Sequence, residues 1–264
     1  VKALKVLFVG DIVGNPGRKA LSGLLPRAKA EWGPFDLIIA NVENAAGGFG
    51  LTEKVMEELF RQGLDAMTSG NHIWDNREAY ALLDAEKRLV RPANYPPSTR
   101  GNGSMVIEKK GVKLGILNLQ GRVFMQPIDC PFRRADEELL RMEGLPVLVD
   151  VHAEATSEKR AMALYLDGRV SAVLGTHTHV QTADETILSG GTAYISDVGM
   201  TGGHGGVIGM EKDAIINRFL TGMPTKFEVC KTDLKMDAVV VEIDGSTGRS
   251  LSIDRLSLEY VKEV

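Results

Sequence analysis

Short apolar runs recur along the first third of the chain, each followed by a stretch with helical spacing. Val6-Leu7-Phe8-Val9 is apolar at every position, as a strand covered on both faces must be. Residues 37–42 and 66–68 read the same way. Between them, residues 17–32 predict a helix that breaks or restarts at Pro26. Residues 53–62 predict a second helix, with Thr52 placed to cap it and Gly63 to stop it. Residues 77–86 predict a third. Short buried strands alternating with helices indicate a largely parallel sheet covered by helices.

From Ser104 the texture changes. Residues 105–108 and 113–119 flank Lys109-Lys110-Gly111-Val112 and predict a hairpin. Residues 147–151 and 170–174 return to the buried-strand pattern. They flank a helix predicted over 158–166, with Ser157 as its cap. A strand over 191–196 and a helix over 212–220 follow. Residues 226–261 are strand-like, with Asp244-Gly245-Ser246-Thr247-Gly248 as a turn. The sum is an α/β fold of two mixed sheets packed face to face with helices outside, expected as one domain over residues 1–264.

Composition narrows the function classes. The chain has 264 residues, enough to bury a sizeable core. Lysine and arginine number 31 against 35 acidic residues, a net charge of −4, so no basic surface for general nucleic-acid binding is expected. Cys130 and Cys230 stand far apart in no ligand spacing and read as reduced thiols. No apolar run approaches membrane-spanning length, and the run after Lys5 is too short for a signal segment. A cytoplasmic location is the expectation, with homo-oligomerisation left open.

The chemistry sits at the ends of the apolar runs. Val6-Leu7-Phe8-Val9-Gly10 leads to Asp11. The next run leads to Glu43 and Asn44, and the third to Asn71 and His72. Val149-Asp150-Val151 leads to His152, and the run 170–174 leads to Gly175-Thr176-His177-Thr178-His179. In α/β sheets ligands collect beyond the carboxyl ends of strands, so these groups are expected to converge. Oxygen and imidazole donors without thiolate suit manganese, iron or zinc. There are enough groups for two ions bridged by a carboxylate. Such a pair suits displacement at phosphorus, lowering the pKa of a water to make the attacking hydroxide and neutralising phosphoryl charge. One imidazole is then needed off the metals, to protonate the leaving oxygen.

Gly10-Asp11, Gly70-Asn71-His72, His152 and Gly175-Thr176-His177-Thr178-His179 resemble, in order, the signature of the calcineurin-like metallophosphoesterases. Two departures narrow the resemblance. Asp11-Ile12-Val13 lacks the usual histidine, and Glu43 in Asn41-Val42-Glu43-Asn44 stands where the bridging aspartate is usual. With Gly10 to Arg18, Asn118 to Met125 and Asp197 to Gly202, the chain resembles the bacterial YmdB-type branch. The resemblance implies an α/β/β/α four-layer sandwich and a dinuclear site holding divalent or mixed-valence ions, iron or manganese ahead of zinc. It also implies a phosphodiesterase for 2′,3′-cyclic nucleotides such as 2′,3′-cAMP. Position by position, Asp11, Glu43, Asn44 and His179 would hold the first ion. Glu43, Asn71, His152 and His177 would hold the second. His72 would be the proton donor.

Other residues have weaker patterns. Arg122 and Phe124 are candidates to clamp a phosphate and stack a base, or simply pack a loop. His204 lies in a glycine-rich stretch, Gly199 to Gly209, that either closes over substrate or is a mobile surface loop. Gly14-Asn15-Pro16-Gly17-Arg18 suits a phosphate or an ordinary helix start. Trp74 is a core or rim residue, or part of the pocket wall. A metal-dependent phosphomonoesterase, and a cyclic-nucleotide-binding regulator with little turnover, are the alternative readings.

Overall fold

A computed structural model describes residues 3–261. Strand β1 (Leu4–Val9) pairs in parallel with β3 (Leu37–Asn41), which pairs in parallel with β4 (Ala66–Thr68). On its other side β1 is antiparallel to β12 (Leu234–Ile243), which also carries β13 (Ser250–Glu259). The start of β12 pairs with β11 (Met200–Gly203), and that strand pairs in parallel with the short β2 (Asp11–Ile12). These strands form a seven-stranded mixed sheet. A six-stranded sheet begins with the hairpin of β5 (Ser104–Lys109) and β6 (Val112–Gln120). It continues in parallel through β7 (Val147–His152), β8 (Ala172–Thr176) and β10 (Ala193–Ile195), and ends at the antiparallel β9 (Thr186–Ile187).

Alternation along the strands sorts the apolar side chains into layers. Leu7, Val9, Ile38 and Ala40 pack against Leu21 and Leu25 of α1 (Gly14–Trp32). Their neighbours Val6, Phe8 and Ile39 face Ile116, Leu148, Leu174 and Ile195 across the gap between the sheets. Leu117, Val149, Val151 and Val173 pack against Ala135 of α4 (Pro131–Leu140) and Met162 and Leu166 of α5 (Thr156–Leu166). The result is the α/β/β/α sandwich. The strands are apolar throughout because both faces are covered.

Local signals explain most element ends. In α2 (Glu53–Gln62) the Thr52 Oγ1 accepts from the Val55 N–H at 3.3 Å, and Gly63 closes the helix with φ 111°. Lys110 and Gly111 both have positive φ, 51° and 79°, in the two-residue hairpin turn. Three details depart from expectation. The first helix runs unbroken through Pro26, because the Ser22 carbonyl left without its N–H partner lies on the exposed face. Helix α5 starts at Thr156 with no side-chain cap, so Ser157 lies inside it. Helix α4, polar and opened by Pro131, gave no clear periodic signal, since it buries only Pro131, Ala135 and Glu138. The third helix, α3 (Glu78–Ala85), is close to expectation. By contrast, α6 (Lys212–Thr221) buries no residue. Among the described residues no helix is long and apolar enough to cross a membrane.

Candidate metal centre

The ends of β1, β3 and β4 in one sheet meet those of β7 and β8 in the other. Asp11 opens β2 just after β1, and its Oδ2 accepts from the His177 backbone N–H at 3.1 Å. Glu43, two residues past β3, lies with a carboxylate oxygen 3.1 Å from His152 Nε2. The Asn71 Oδ1 is 3.0 Å from that same nitrogen, and His177 Nδ1 is 3.1 Å from it. Asn44 Nδ2 donates to that same carboxylate oxygen at 3.1 Å and lies 3.3 Å from His179 Nε2. The structure thus brings together all seven side chains expected as ligands, with Glu43 touching both groups.

The local backbone is built for this approach. Asn71 and His72 ride a 3₁₀ turn (Asn71–Asp75) whose His72 N–H donates to Glu43 at 2.7 Å. Gly70 precedes it, and a Cβ there would lie inside contact distance of the His152 ring and the Glu43 carboxylate. His177 and His179 both have positive φ, 100° and 64°, a conformation costly for non-glycine residues. A buried clamp holds that loop: Asp197 accepts from the Thr178 N–H at 3.0 Å and pairs with the Lys159 ammonium at 2.7 Å.

Electrostatics follow from burial and from neighbours. Burial by itself would raise the Glu43 carboxyl, but the adjoining His152 and the His72 N–H outweigh it and hold it well below the usual range. Burial would lower His152, but Glu43, with Asp11 and Asp150 behind it, raises it instead. His177, desolvated and beside charged His152, is pushed down to about 3 and presents a neutral ring. Asp11 is raised, chiefly by burial.

A metal ion fits these residues. Asp11 Oδ1 and Asn44 Oδ1 are buried acceptors with no hydrogen-bond partner, an arrangement a cation relieves. Glu43, His152 and His177 offer ligand atoms within 4.8 Å of one another. Carboxylate, amide oxygen and imidazole together match a borderline divalent cation.

His72 stands apart from this cluster of ligand nitrogens. Its Nδ1 is 2.8 Å from the Asp75 carboxylate, and its ring meets Phe49 edge-on at 5.0 Å. It borders two cavities. One, of about 200 Å³, is lined by four of the candidate ligands, Glu43, Asn44, His177 and His179, and by Phe49, Ile208, Met210, Ile215 and Phe227. The other, of about 380 Å³, is lined by Asn71, His72, Asp75, Phe124, Met125, Gln126 and His177.

Arg122 and His204 line neither cavity. The Arg122 guanidinium lies near Cys130 Sγ, and the Arg122 backbone N–H donates to Glu158 of α5. His204 Nε2 is tied to Asp237 at 3.3 Å. Trp74 packs edge-on to Tyr80 and Tyr95 and lines neither cavity. Four supporting residues were not anticipated. Asp75 sits three residues after His72, and Glu154, in His152-Ala153-Glu154, has its carboxylate 3.2 Å from His177 Nε2. Thr176 Oγ1 donates to Asp150 at 2.7 Å and so accepts from His152 Nδ1 at 2.9 Å. The only cue to Asp150 in the sequence is a carboxylate inside an apolar run. Burial pushes that carboxyl up to about 6, against the pull of His152 and two threonine hydroxyls.

Comparison with known proteins identifies the family. The model of a family described as YmdB-like protein matches residues 7–256. A 2′,3′-cyclic-nucleotide 2′-phosphodiesterase from Bacillus subtilis (strain 168) is 48% identical over 255 residues, 96% of each chain. The crystal structure of a hypothetical protein from Thermus thermophilus aligns with TM-score 0.90 and 46% identity, covering 97% of this chain and 99% of that one. One described as a novel phosphatase from Mycoplasma pneumoniae aligns at 0.92 with 36% identity, covering 98% and 94%. The sandwich and the groups at its strand ends mark a hydrolase of the metallophosphoesterase class. Within that class, the chain belongs to the YmdB-like family.

Proposed function

We propose that this chain is a dinuclear metal-dependent phosphodiesterase that opens 2′,3′-cyclic nucleotides by breaking the bond from phosphorus to O2′. The observation that carries the reading is the shared position of Glu43. Its Oε1 lies 3.1 Å from both His152 Nε2 and Asn44 Nδ2, Asp11 and Asn44 each keep a buried oxygen without a partner, and His152 and His177 offer nitrogens within 4.8 Å of the carboxylate. Asp11, Glu43, Asn44 and His179 would hold one ion, and Glu43, Asn71, His152 and His177 the other. Bound there, iron or manganese would supply a water of lowered pKa and neutralise charge on the phosphoryl oxygens. The substrate class is that in the name of the Bacillus subtilis relative.

The chain's own residues do the rest. His72 borders both cavities and gives its Nε2 proton to O2′ as that oxygen leaves. The Asp75 carboxylate, 2.8 Å from Nδ1, fixes the orientation of the ring. The Glu43 contact to the His72 N–H ties the donor's turn to the ligand set. The product keeps its phosphate on O3′.

The test is turnover of 2′,3′-cyclic AMP and bis(p-nitrophenyl) phosphate by chelator-stripped protein before and after Mn²⁺ is restored. Activity should return with Mn²⁺, be absent in His177→Ala, and fall at least about 100-fold in His72→Ala with metal still bound. Hydrolysis of p-nitrophenyl phosphate alone would instead favour a phosphomonoesterase. Full activity in His72→Ala would remove the proton-donor role.

A further inference from the structure

We propose that the wall formed by Phe49, Ile208, Met210, Ile215 and Phe227 is a nucleobase subsite that accepts purines and pyrimidines alike. The inference rests on the cyclic-nucleotide reading and adds how the substrate's organic half is held. A phosphate placed among the candidate ligands and His72 leaves its sugar and base two cavities to enter. The smaller one, about 200 Å³, has an apolar wall drawn from separate parts of the chain. Phe49 comes from the turn after β3, Ile208 and Met210 from the loop after β11, Ile215 from α6 and Phe227 from the segment beyond it.

The wall is tied to the reacting end. Phe49 meets the His72 ring at 5.0 Å, so a group resting on it lies beside the proposed proton donor. The Ile208 carbonyl accepts from His179 Nδ1 at 2.9 Å, which fixes the loop to a candidate ligand. Phe227 is backed by the Arg218 guanidinium, 5.1 Å from its ring.

The lining also decides what can be read. Its polar side chains, Glu43, Asn44, His72, His177 and His179, all belong to the proposed metal and proton-donor set. None remains to read the hydrogen-bonding edge of a base. Apolar contact holds any flat heterocycle and discriminates weakly between them. The larger cavity, about 380 Å³, carries Asn71, Asp75 and Gln126, and its one aromatic ring, Phe124, is 90% exposed. It suits water better than a stacked base.

The experiment compares 2′,3′-cyclic AMP, 2′,3′-cyclic CMP and base-free glycerol 1,2-cyclic phosphate as substrates of Mn²⁺-replete protein. Phe227→Ala, the milder Phe227→Leu and Phe124→Ala are run beside the unaltered chain. The two nucleotides should agree in kcat/KM within about tenfold, the spread expected of apolar contact. Phe227→Ala should lower the ratio of nucleotide to glycerol kcat/KM about tenfold or more through KM, with Phe227→Leu intermediate. An unchanged ratio in both Phe227 variants, the loss appearing in Phe124→Ala instead, or a base preference beyond about 200-fold would overturn the subsite. If no cyclic phosphate is turned over, the parent reading fails. The subsite is then judged by competition of adenosine 3′-phosphate against bis(p-nitrophenyl) phosphate. Weaker inhibition in Phe227→Ala sustains the subsite, and equal or absent inhibition removes it.

Discussion

A histidine is a good ligand only when the correct nitrogen is bare. In His152 that choice is made two residues away. Asp150 accepts a hydrogen bond from the Thr176 hydroxyl, so Thr176 can only accept from Nδ1, and Nε2 is left to face Glu43, Asn71 and His177. Thr176→Val keeps the volume and removes the acceptor. It should weaken Mn²⁺ or Zn²⁺ binding about 10- to 100-fold by chelator competition, while Thr176→Ser stays close to the unaltered protein. Equal affinities in all three would remove Thr176 from this role.

The same imidazole links metal and proton. Its carboxylate neighbours hold His152 above the ordinary imidazole range, so in chelator-stripped protein near pH 7 the Nε2 carries a proton. A cation binding there must displace it. Proton and metal compete, so affinity should rise with pH until His152 titrates and level off above. At pH 7 about one proton should be released from His152 per ion bound at this position, whereas His177, already neutral, contributes none. Calorimetric titration in buffers of different ionisation enthalpy measures the number. Heat independent of buffer would contradict the assignment.

At the scale of elements, the site depends on short irregular pieces fixed by buried polar contacts. The loop carrying His177 and His179 holds both in positive φ, and the Lys159–Asp197 pair beneath it is fully buried on both sides. Lys159→Met should leave Asp197 charged and unpaired and destabilise the fold by about 3–5 kcal/mol. Denaturant unfolding checks this, and metal affinity should fall with it because Asp197 no longer holds the Thr178 N–H in place. A loss below about 1 kcal/mol would mean the clamp carries little.

Legibility at this scale followed physical rules. Helix α2 was readable to the residue because Thr52 and Gly63 act locally. Pro26 misled because its cost depends on whether the orphaned carbonyl reaches water, and that depends on which helix face is outward. Helix α4 was missed because Glu138, a charged residue, fills one of its buried positions. Glu138 is buried among Ser104, Arg134 and Arg141, partners supplied by tertiary contact and by its own helix turn.

Across the whole molecule, the candidate site arises from packing two sheets face to face. The interior between them joins Phe8 and Ile39 to Ile116, Leu148 and Leu174. A polar bridge crosses it near the site, where Asn41 Nδ2 and the Thr68 hydroxyl both donate to Asp150. Without that packing, the ends of β3 and β7 would carry Glu43 and His152 as separate half-sites. Unlike β2, β9 and β11, the buried parallel strands that carry the site could be read from the chain alone, as could the side-chain types at their ends and hence the class of chemistry. Those are set by local periodicity and by the affinity of imidazole and carboxylate for metal. Packing settled which nitrogen of His152 is free, that Glu154 and Thr176 stand behind candidate ligands and Asp75 behind His72, and that Arg122 and His204 lie elsewhere. It also settled that an apolar wall adjoins His72. Each depends on distances between residues remote in the chain, which no local pattern encodes.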